Sequence, residues 1–163
     1  MKKVLFPGSF DPITYGHMDV VEQALKIYDK VLICPLGNAR KNNGLFTMDE
    51  RRALIQKIYA KDLRVEVISI DKKIAAIDIA LNNGCNTIVK GLRNVSDFAD
   101  EVEQAKLNLE ISNGKVNTIA LFASPSKTVI SSSLVKELYE LGKNISPYVH
   151  PIVEDAIKNK YKE

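Results

Sequence analysis

The sequence predicts an α/β protein in which a doubly wound, five-stranded parallel sheet forms a single domain over residues 1–163. Short apolar runs alternate with segments of helical spacing from one end of the chain to the other. This alternation is typical of a parallel sheet with helices on both faces. The length suits one domain, and no repeat, low-complexity tract or linker divides the chain. Ligands of such sheets bind at the carboxyl ends of the strands, near the point where the strand order reverses.

Three predicted strands and three predicted helices alternate in the first half of the chain. Pro7 and Gly8 close the first strand, and apolar residues at helical spacing follow it. Thr47 and Glu50 have the spacing of a capping box and mark the start of the second helix, while Gly84 marks the end of the third. The predicted strands are residues 3–6, 30–36 and 63–70, and the predicted helices are residues 17–28, 48–60 and 74–84.

Two more strands and three more helices are predicted in the second half. Ser96 or Asp97 can cap the fourth helix, and Gly142 follows the end of the fifth. Pro147 and Pro151 bracket a turn before the last helix. The predicted strands are residues 86–92 and 116–123, and the predicted helices are residues 96–111, 131–141 and 152–160.

Composition and charge exclude several classes of protein. The 23 basic residues barely exceed the 20 acidic ones, which argues against a nucleic-acid-binding surface. No apolar run approaches the roughly 18 residues of a membrane-spanning helix, and Pro7 and Gly8 interrupt any signal-peptide core. Cys34 and Cys85 lack a C-x-x-C spacing, as expected of buried thiols in a reducing compartment. We therefore expect a cytoplasmic protein that binds neither nucleic acid nor a membrane.

Polar segments follow three of the predicted strands, at the edge of the sheet where ligands bind. They are Gly8 and Ser9, residues 90–93, and residues 131–133. Gly8 allows the backbone to approach a ligand closely, and His17 opens a helix whose unpaired N–H groups and dipole favour an anion. Two common phosphate-binding patterns, G-x-x-x-x-G-K-[ST] and G-x-G-x-x-G, are absent. The sequence therefore predicts a phosphate-binding crevice of another type.

The segment GSFDPITYGH at residues 8–17 resembles the (T/S)-x-G-H signature of the nucleotidyltransferases related in fold to class I aminoacyl-tRNA synthetases. Within that superfamily, the chain is similar to the bacterial phosphopantetheine adenylyltransferases over nearly its whole length. The other matching blocks fall in order at the family's spacing: FTMDERR (46–52), KGLRNVSDF (90–98) with Glu101 and Asn108, and ISSSLVKE (130–137). A single T-x-G-H would be weak support, whereas four blocks in register are strong support.

The resemblance implies a Rossmann-like nucleotidyltransferase fold and an enzyme that transfers the adenylyl group of ATP to 4′-phosphopantetheine. The products would be dephospho-CoA and pyrophosphate, and the step belongs to coenzyme A synthesis. Mg²⁺ would be bound mainly through the ATP phosphates, with no side chain of the protein as a metal ligand. The resemblance also implies a homohexamer, with coenzyme A as a feedback inhibitor.

Two catalytic residues are implied by the resemblance. His17 would donate a hydrogen bond to the α-phosphate in the transition state of a direct in-line attack, and Lys41 would contact the phosphates of both substrates. The family pattern N-P-x-K reads N-A-R-K here, so Arg40 competes with Lys41 for this role.

Taken alone, Ala76 is equally typical of a core position and Glu137 of a surface charge. The residues implied at the acceptor site are Ser9, Lys41, Ala76, Lys90, Asn108 and Glu137.

An ATP site is also implied by the resemblance. Arg93 offers a planar fork for the phosphates, and three serines at the mouth of a helix offer hydroxyl and N–H groups to the β- and γ-phosphates. Taken alone, Phe10 is nearly as typical of a core aromatic residue and Glu101 of a solvated helix charge. The implied residues are Ser9, Phe10, His17, Gly91, Leu92, Arg93, Glu101, Lys127, Thr128, Val129, Ile130, Ser131, Ser132 and Ser133.

Three residues depart from the family pattern at positions that face the substrates. Lys90 stands where Arg is usual, Asp100 where an aromatic residue is usual, and Lys127 where Tyr or Trp is usual. Lys90 keeps the charge of an Arg but loses its bidentate geometry. We therefore expect substrate binding or regulation to differ from the family pattern.

Two alternative functions fit part of the sequence. Sister transferases that act on nicotinate mononucleotide, glycerol phosphate or a flavin phosphate usually carry H-x-G-H, whereas Thr14 opens the motif here. The other alternative is a regulatory nucleotide-binding protein that has lost catalysis. The presence of Ser9, His17 and Lys41 argues against this second alternative.

Overall fold

The computed structural model describes residues 1–37, 44–68, 70 and 74–162, and strands alternate with helices throughout them. The strands are β1 (Lys3–Gly8), β2 (Lys30–Pro35), β3 (Val65–Val67), β4 (Thr87–Leu92) and β5 (Asn117–Phe122). The helices are α1 (Tyr15–Ala24), α2 (Met48–Ile58), α3 (Ala76–Asn82), α4 (Val95–Ile111), α5 (Ser132–Glu140) and α6 (Pro151–Lys160). Pro125–Lys127 form a 3₁₀ turn between β5 and α5. None of the helices in these described ranges has the length and hydrophobicity needed to cross a membrane.

The five strands pair in parallel in the order β3-β2-β1-β4-β5. From β1 the chain first runs outward to β3 and then crosses back to β4 on the other side of β1, so the strand order reverses between β1 and β4. At the carboxyl edge of the sheet, Gly8 pairs with Pro35 and Leu92 pairs with Phe122. The predicted doubly wound parallel sheet is therefore confirmed, with its switch point beside the end of β1.

Both faces of the central strands are buried, because successive residues enter two separate apolar clusters. Val4 and Phe6 pack on one face with residues of α1, α2, α5 and α6, while Leu5 packs on the other face with residues of α3. Each fully buried aliphatic or Phe side chain stabilises the fold by about 1.5–3 kcal/mol relative to an exposed one. Cys34 lies in the second cluster, and burial raises the pKa of its thiol to about 11. The thiol is therefore protonated and unreactive at neutral pH.

The elements match the prediction in order and differ at their ends. α1 begins at Tyr15 with Thr14 as its N-cap, so His17 lies in the first turn of the helix rather than at its start. α4 is capped by Asn94, whose side chain accepts the N–H of Asp97, and not by Ser96 or Asp97. β3 is shorter than predicted, because only Val65–Val67 pair with β2.

Candidate active site

A cavity of about 870 Å³ opens at the carboxyl edge of the sheet, beside the switch point. The turn after β1, the first turn of α1, the end of β4 and the segment before α5 contribute to its wall. Many of the residues selected from the sequence lie together in this wall: Ser9, His17, Lys90, Gly91, Arg93, Glu101, Lys127, Ile130, Ser131, Ser132 and Ser133. They meet because the strands that precede them end at the same edge of one parallel sheet.

His17 is half-buried in the cavity wall, and the residue before α1 orients its ring. Nδ1 accepts the backbone N–H of Thr14 at 3.1 Å and lies 3.0 Å from the Thr14 hydroxyl oxygen. Burial, and to a smaller extent the charge of Arg93, lowers the pKa of His17 to about 4, so the ring is neutral at pH 7. Because Nδ1 is an acceptor, the ring proton is on Nε2. His17 can therefore donate a hydrogen bond through Nε2 and is a poor general base.

Phe10 supports His17 from the protein interior. Its ring is fully buried, with its centroid 5.0 Å from that of His17 and 5.2 Å from that of Phe6, in edge-to-face contacts. The Phe10 side chain lies behind the cavity wall and not in it. The expectation that Phe10 packs beside the nucleotide therefore does not fit this arrangement. Phe10 occupies a core position instead, because it is fully buried and the rings of Phe6 and His17 pack against it.

Arg93 is held at the cavity by the first turn of α4. Its Nε and Nη2 donate to the two carboxylate oxygens of Asp97 at 3.0 and 3.1 Å, and its Nη1 donates to the Ile130 carbonyl at 3.3 Å. Burial acts to raise the pKa of Asp97, but the hydrogen bonds and charge of Arg93 outweigh it, and the pKa is lowered. Asp97 is therefore ionised at neutral pH. The pair fixes the guanidinium plane and leaves two of its five N–H groups for another acceptor.

Lys90 and Glu101 form a second partly buried pair in the wall. The Lys90 ammonium lies 3.4 Å from the Glu101 carboxylate, and about a quarter of each side chain is exposed. Lys127, at the other side of the opening, lies with its ammonium 5.2 Å from the ring centroid of Tyr15. This distance is within the range of a cation–π contact. Tyr15, two residues before His17, thus positions the Lys127 ammonium.

The three serines before and within α5 have three different positions. Ser131 is the N-cap, and its Oγ accepts the Leu134 N–H at 3.1 Å. Ser132 donates its hydroxyl to the Pro12 carbonyl at 2.7 Å and so joins α5 to the turn after β1. Ser133 lies in the cavity wall with an exposed side chain. The helix therefore presents its N-terminus to the cavity, and one of the three hydroxyls already holds the neighbouring turn.

The other predicted site residues lie elsewhere. Those outside the cavity wall of the described chain are Leu92, Thr128, Val129, Ala76, Asn108 and Glu137. Asn108 is buried in α4, where it accepts a hydrogen bond from Gln104, and Glu137 is exposed on α5. Lys41 and the competing Arg40 lie outside the described residues.

Five charged residues of the wall were not selected from the sequence as site residues: Asp11, Arg51, Asp97, Lys136 and Lys160. Signals for four of them are present in the sequence. Asp11 lies within GSFDPITYGH, Arg51 within FTMDERR, Asp97 within KGLRNVSDF and Lys136 within ISSSLVKE. Asp97 was considered only as a helix cap. Lys160 lies near the C-terminus, far along the chain from every motif, and no local pattern indicates that it reaches this cavity.

The wall carries an excess of positive charge. Its cations are Arg51, Lys90, Arg93, Lys127, Lys136 and Lys160, and its carboxylates are Asp11, Asp97 and Glu101. Lys160 also pairs with Glu50, which lies outside the wall, at 3.0 Å. The six cations therefore exceed these four carboxylates by two, whereas the whole chain carries a formal charge of +3 spread over 163 residues. A concave site lined by one sign of charge raises the local concentration of ligands of the opposite sign. The cavity therefore suits a ligand with several phosphate groups.

Comparison with known proteins agrees with this geometry. The family model described as cytidylyltransferase-like matches residues 5–138. A solved structure from Vibrio parahaemolyticus, provisionally described as a nicotinate-nucleotide adenylyltransferase, has a TM-score of 0.72 and 21% identity. The match covers 100% of this chain and 97% of that one. At this identity the likeness shows a shared fold.

Curated relatives match the chain from end to end, and each is named phosphopantetheine adenylyltransferase. The relative from Geobacter metallireducens is 38% identical over 162 residues, which cover 99% of this chain and 97% of the relative. The relative from Fusobacterium nucleatum is 40% identical, with 100% and 98% coverage, and the one from Staphylococcus carnosus is 41% identical, with 98% and 96% coverage. The chain therefore belongs to the cytidylyltransferase-like proteins and, among them, to the phosphopantetheine adenylyltransferase family.

Proposed function

We propose that this protein transfers the adenylyl group of ATP to 4′-phosphopantetheine and releases dephospho-CoA and pyrophosphate, a step in coenzyme A synthesis. The observation that carries the proposal is the neutral His17, with its ring proton on Nε2, in a cationic cavity that also contains Arg93 and the N-terminus of α5. Membership of the family supports the same reaction.

The chemistry requires positioning and charge neutralisation more than proton transfer. A phosphate monoester is mostly dianionic at neutral pH, since its second pKa is about 6, and it attacks the α-phosphorus of ATP without a general base. His17 suits the role of donor to the α-phosphate in the transition state, because its acceptor nitrogen is already occupied by the Thr14 N–H. Pyrophosphate leaves on the opposite side of the phosphorus.

We assign the remaining roles by resemblance to the family, and the positions of these residues in the wall support them. Ser9 would hold the attacking phosphate, while Arg93 and the serines at the start of α5 would hold the β- and γ-phosphates. Lys90 would contact the acceptor phosphate, and Glu101 would contact the nucleotide. By resemblance to the family, we also assign contacts with ATP or the pantetheine arm to residues outside the wall: Ala76, Leu92, Asn108, Thr128, Val129 and Glu137. By the same resemblance, Lys41 would contact the phosphates of both substrates.

Mg²⁺ fits this cavity if it is held mainly by the phosphates of ATP. Each carboxylate in the wall is engaged by a cation: Asp11 by Arg51 and Lys136, Asp97 by Arg93, and Glu101 by Lys90. Mg²⁺ commonly keeps several waters and binds through substrate phosphates. When bound in this way, it would neutralise part of the charge on the β- and γ-phosphates.

A cytoplasmic location and a homohexamer complete the proposal. Cys34 and Cys85 are buried thiols, as expected in a reducing compartment.

The outer edge of the sheet supports self-association, because Val95 and Phe98 of α4 and Phe122 of β5 are 84%, 54% and 80% exposed. Sedimentation equilibrium should give about six times the chain mass of 18.2 kDa, and a monomer would contradict the hexamer. Inhibition by added coenzyme A is expected in the same preparation.

The direct test measures pyrophosphate release from ATP with four acceptors offered one at a time. They are 4′-phosphopantetheine, nicotinate mononucleotide, glycerol 3-phosphate and FMN, and we expect turnover with the first alone. Turnover with another acceptor would move the protein to a sister activity. No turnover with any acceptor, while ATP still binds, would favour a nucleotide-binding protein without catalysis.

A further inference from the structure

The turn that carries Ser9 contains a residue in an unfavourable backbone conformation. Phe10 has φ of 46°, in the left-handed region that bulky side chains rarely adopt. Such residues persist only where the surroundings over-determine them, and they are concentrated at functional sites. Phe10 is fixed by burial of its ring, but burial of the ring does not by itself orient the exposed Ser9 before it.

Arg51 of α2 bridges the two residues on either side of Phe10. Its Nη1 donates to the Ser9 carbonyl at 3.1 Å, and its Nε lies 3.5 Å from the Asp11 carboxylate. The same Nε donates to the Phe46 carbonyl at 2.8 Å. One planar guanidinium thus joins the turn after β1 to the segment that leads into α2.

Asp11 completes this connection from the other side. Its carboxylate accepts the backbone N–H groups of Leu45 and Phe46, each at 2.9 Å, and lies 3.5 Å from the Lys136 ammonium. Gly44 packs against the pair so closely that a Cβ there would overlap Nη2 of Arg51 and lie 2.9 Å from Asp11 Oδ2. The chain can approach the pair here only because residue 44 has no side chain.

The ion pair of Arg51 and Asp11 is costly for the protein to bury. The side chains of Arg51 and Asp11 are each only 10% exposed. Apolar residues of similar volume often stabilise a protein as well as a buried ion pair or better, so stability alone is a weak reason for such a pair. Its hydrogen bonds instead tie two backbone segments together: one holds the Ser9 carbonyl next to the cavity, and three hold Leu45 and Phe46.

We propose that Arg51, oriented by Asp11, is a positioning residue that holds Ser9 where it receives the attacking phosphate. The inference rests on the proposed function, because Ser9 is the residue assigned to that phosphate. In this role Arg51 acts through the Ser9 carbonyl, to which its Nη1 donates a hydrogen bond. Its loss should therefore weaken use of the acceptor much more than use of ATP.

The test compares Arg51→Met and Arg51→Lys with Arg52→Met as the matched control. Arg52 is the next residue of α2, and it pairs with Asp49 on the solvent side. Hydrogen bonds to charged groups typically change an equilibrium about 10- to 100-fold. We expect kcat/KM for 4′-phosphopantetheine to fall by about this factor in both Arg51 variants. The KM for ATP should change by less than about threefold in the Arg51 variants. In the control variant, both constants should change by less than about threefold.

Arg51→Lys distinguishes geometry from charge. A single ammonium cannot replace the fork that reaches the Ser9 and Phe46 carbonyls together, so we expect no rescue. Full rescue by Lys would overturn the proposal. Equal losses for both substrates, in a variant that melts at a lower temperature, would also overturn it by showing a general structural role.

Hydrogen exchange provides a readout that does not need turnover. The N–H groups of Leu45 and Phe46, and peptides covering residues 9–11, should exchange faster in Arg51→Met and Arg51→Lys than in Arg52→Met. If wild-type protein transfers to no acceptor, the proposed function fails, while faster exchange still shows that Arg51 holds the turn. Unchanged exchange in the Arg51 variants would reject the positioning role, even in an active enzyme.

Discussion

At the scale of single residues, the orientation of His17 determines what chemistry the site can perform. The Thr14 N–H occupies Nδ1 and leaves the ring proton on Nε2. Burial keeps the ring neutral at pH 7. A neutral donor loses less solvation on entering a closed site than a charged one would. The residue therefore suits stabilisation of a charged transition state in a reaction that needs no proton transfer.

Replacement of His17 by alanine should lower kcat about 10²- to 10³-fold while ATP affinity changes little, because the lost bond forms mainly in the transition state. Steady-state kinetics and equilibrium binding of ATP check this. The chain's other histidine supplies the control: His150 caps α6 by accepting the Ile152 N–H. His150→Ala should cost about 1 kcal/mol of stability and leave kcat unchanged. Equal losses of ATP binding and kcat in His17→Ala would assign His17 to ground-state binding.

At the scale of elements, one carboxylate joins α1 to the segment that follows β5. Asp19 lies in α1, two residues after His17, and accepts the N–H and hydroxyl of Ser124 at 2.9 and 2.6 Å. Burial acts to raise the pKa of Asp19, but hydrogen bonds from Ser124 and Gln23 outweigh it, and the pKa is lowered. The helix that carries His17 and the segment that leads to Ser131 are thus held together.

Asp19→Ala should raise the KM for ATP more than the KM for the acceptor, because it releases residues 124–133 and leaves the turn after β1 in place. The unpaired Ser124 N–H should also reduce stability by about 1–3 kcal/mol. Kinetics with each substrate varied in turn, together with urea denaturation, check both effects. Glu22→Ala, an exposed change on the same helix, should alter stability by less than about 0.5 kcal/mol. An unchanged KM for ATP in Asp19→Ala would show that this connection does not position the segment.

At the scale of the whole molecule, the strand order brings distant parts of the chain to one edge of the sheet. β1 lies between β2 and β4, so the turn after β1 faces the end of β4 and the segment after β5. The six cationic residues of the cavity wall therefore lie together at this edge, in a protein whose overall charge is close to neutral. Exposed apolar residues of α4 and β5, Val95, Phe98 and Phe122, lie outside the wall of this cavity.

The stability of the molecule should depend on His17 at mildly acidic pH. The folded pKa of His17 is about 4 and lies below the usual histidine value of 6.5, so the unfolded chain binds the proton first. The contribution of the neutral His17 to the free energy of unfolding is therefore fully present above pH 6.5, and it is lost as the pH falls toward 4. Urea unfolding at pH 7 and pH 4.5 should show a loss that is about 2–3 kcal/mol larger in wild type than in His17→Gln. Equal losses would mean that the folded ring titrates normally.

Much of the fold could be predicted because apolar periodicity and capping are local properties of the chain. The capping box of Thr47 and Glu50 is present as predicted, and it begins α2. Asn94 was missed as the cap of α4, because Ser96 and Asp97 nearby have equally suitable side chains. The choice among neighbouring caps depends on how β4 delivers the chain to the helix, and that is a tertiary effect.

The sequence by itself determined the order of strands and helices, the family, and the motifs that supply His17, Arg93 and the three serines. Only the tertiary structure decided that Asp97 holds Arg93, that Phe10 lies behind His17, and that Arg51 reaches Ser9 from 42 residues away. The physical reason is that periodicity and capping act between near neighbours in the chain. Side-chain pairing depends on distances in space, which the packing of α2 and α4 against the sheet creates.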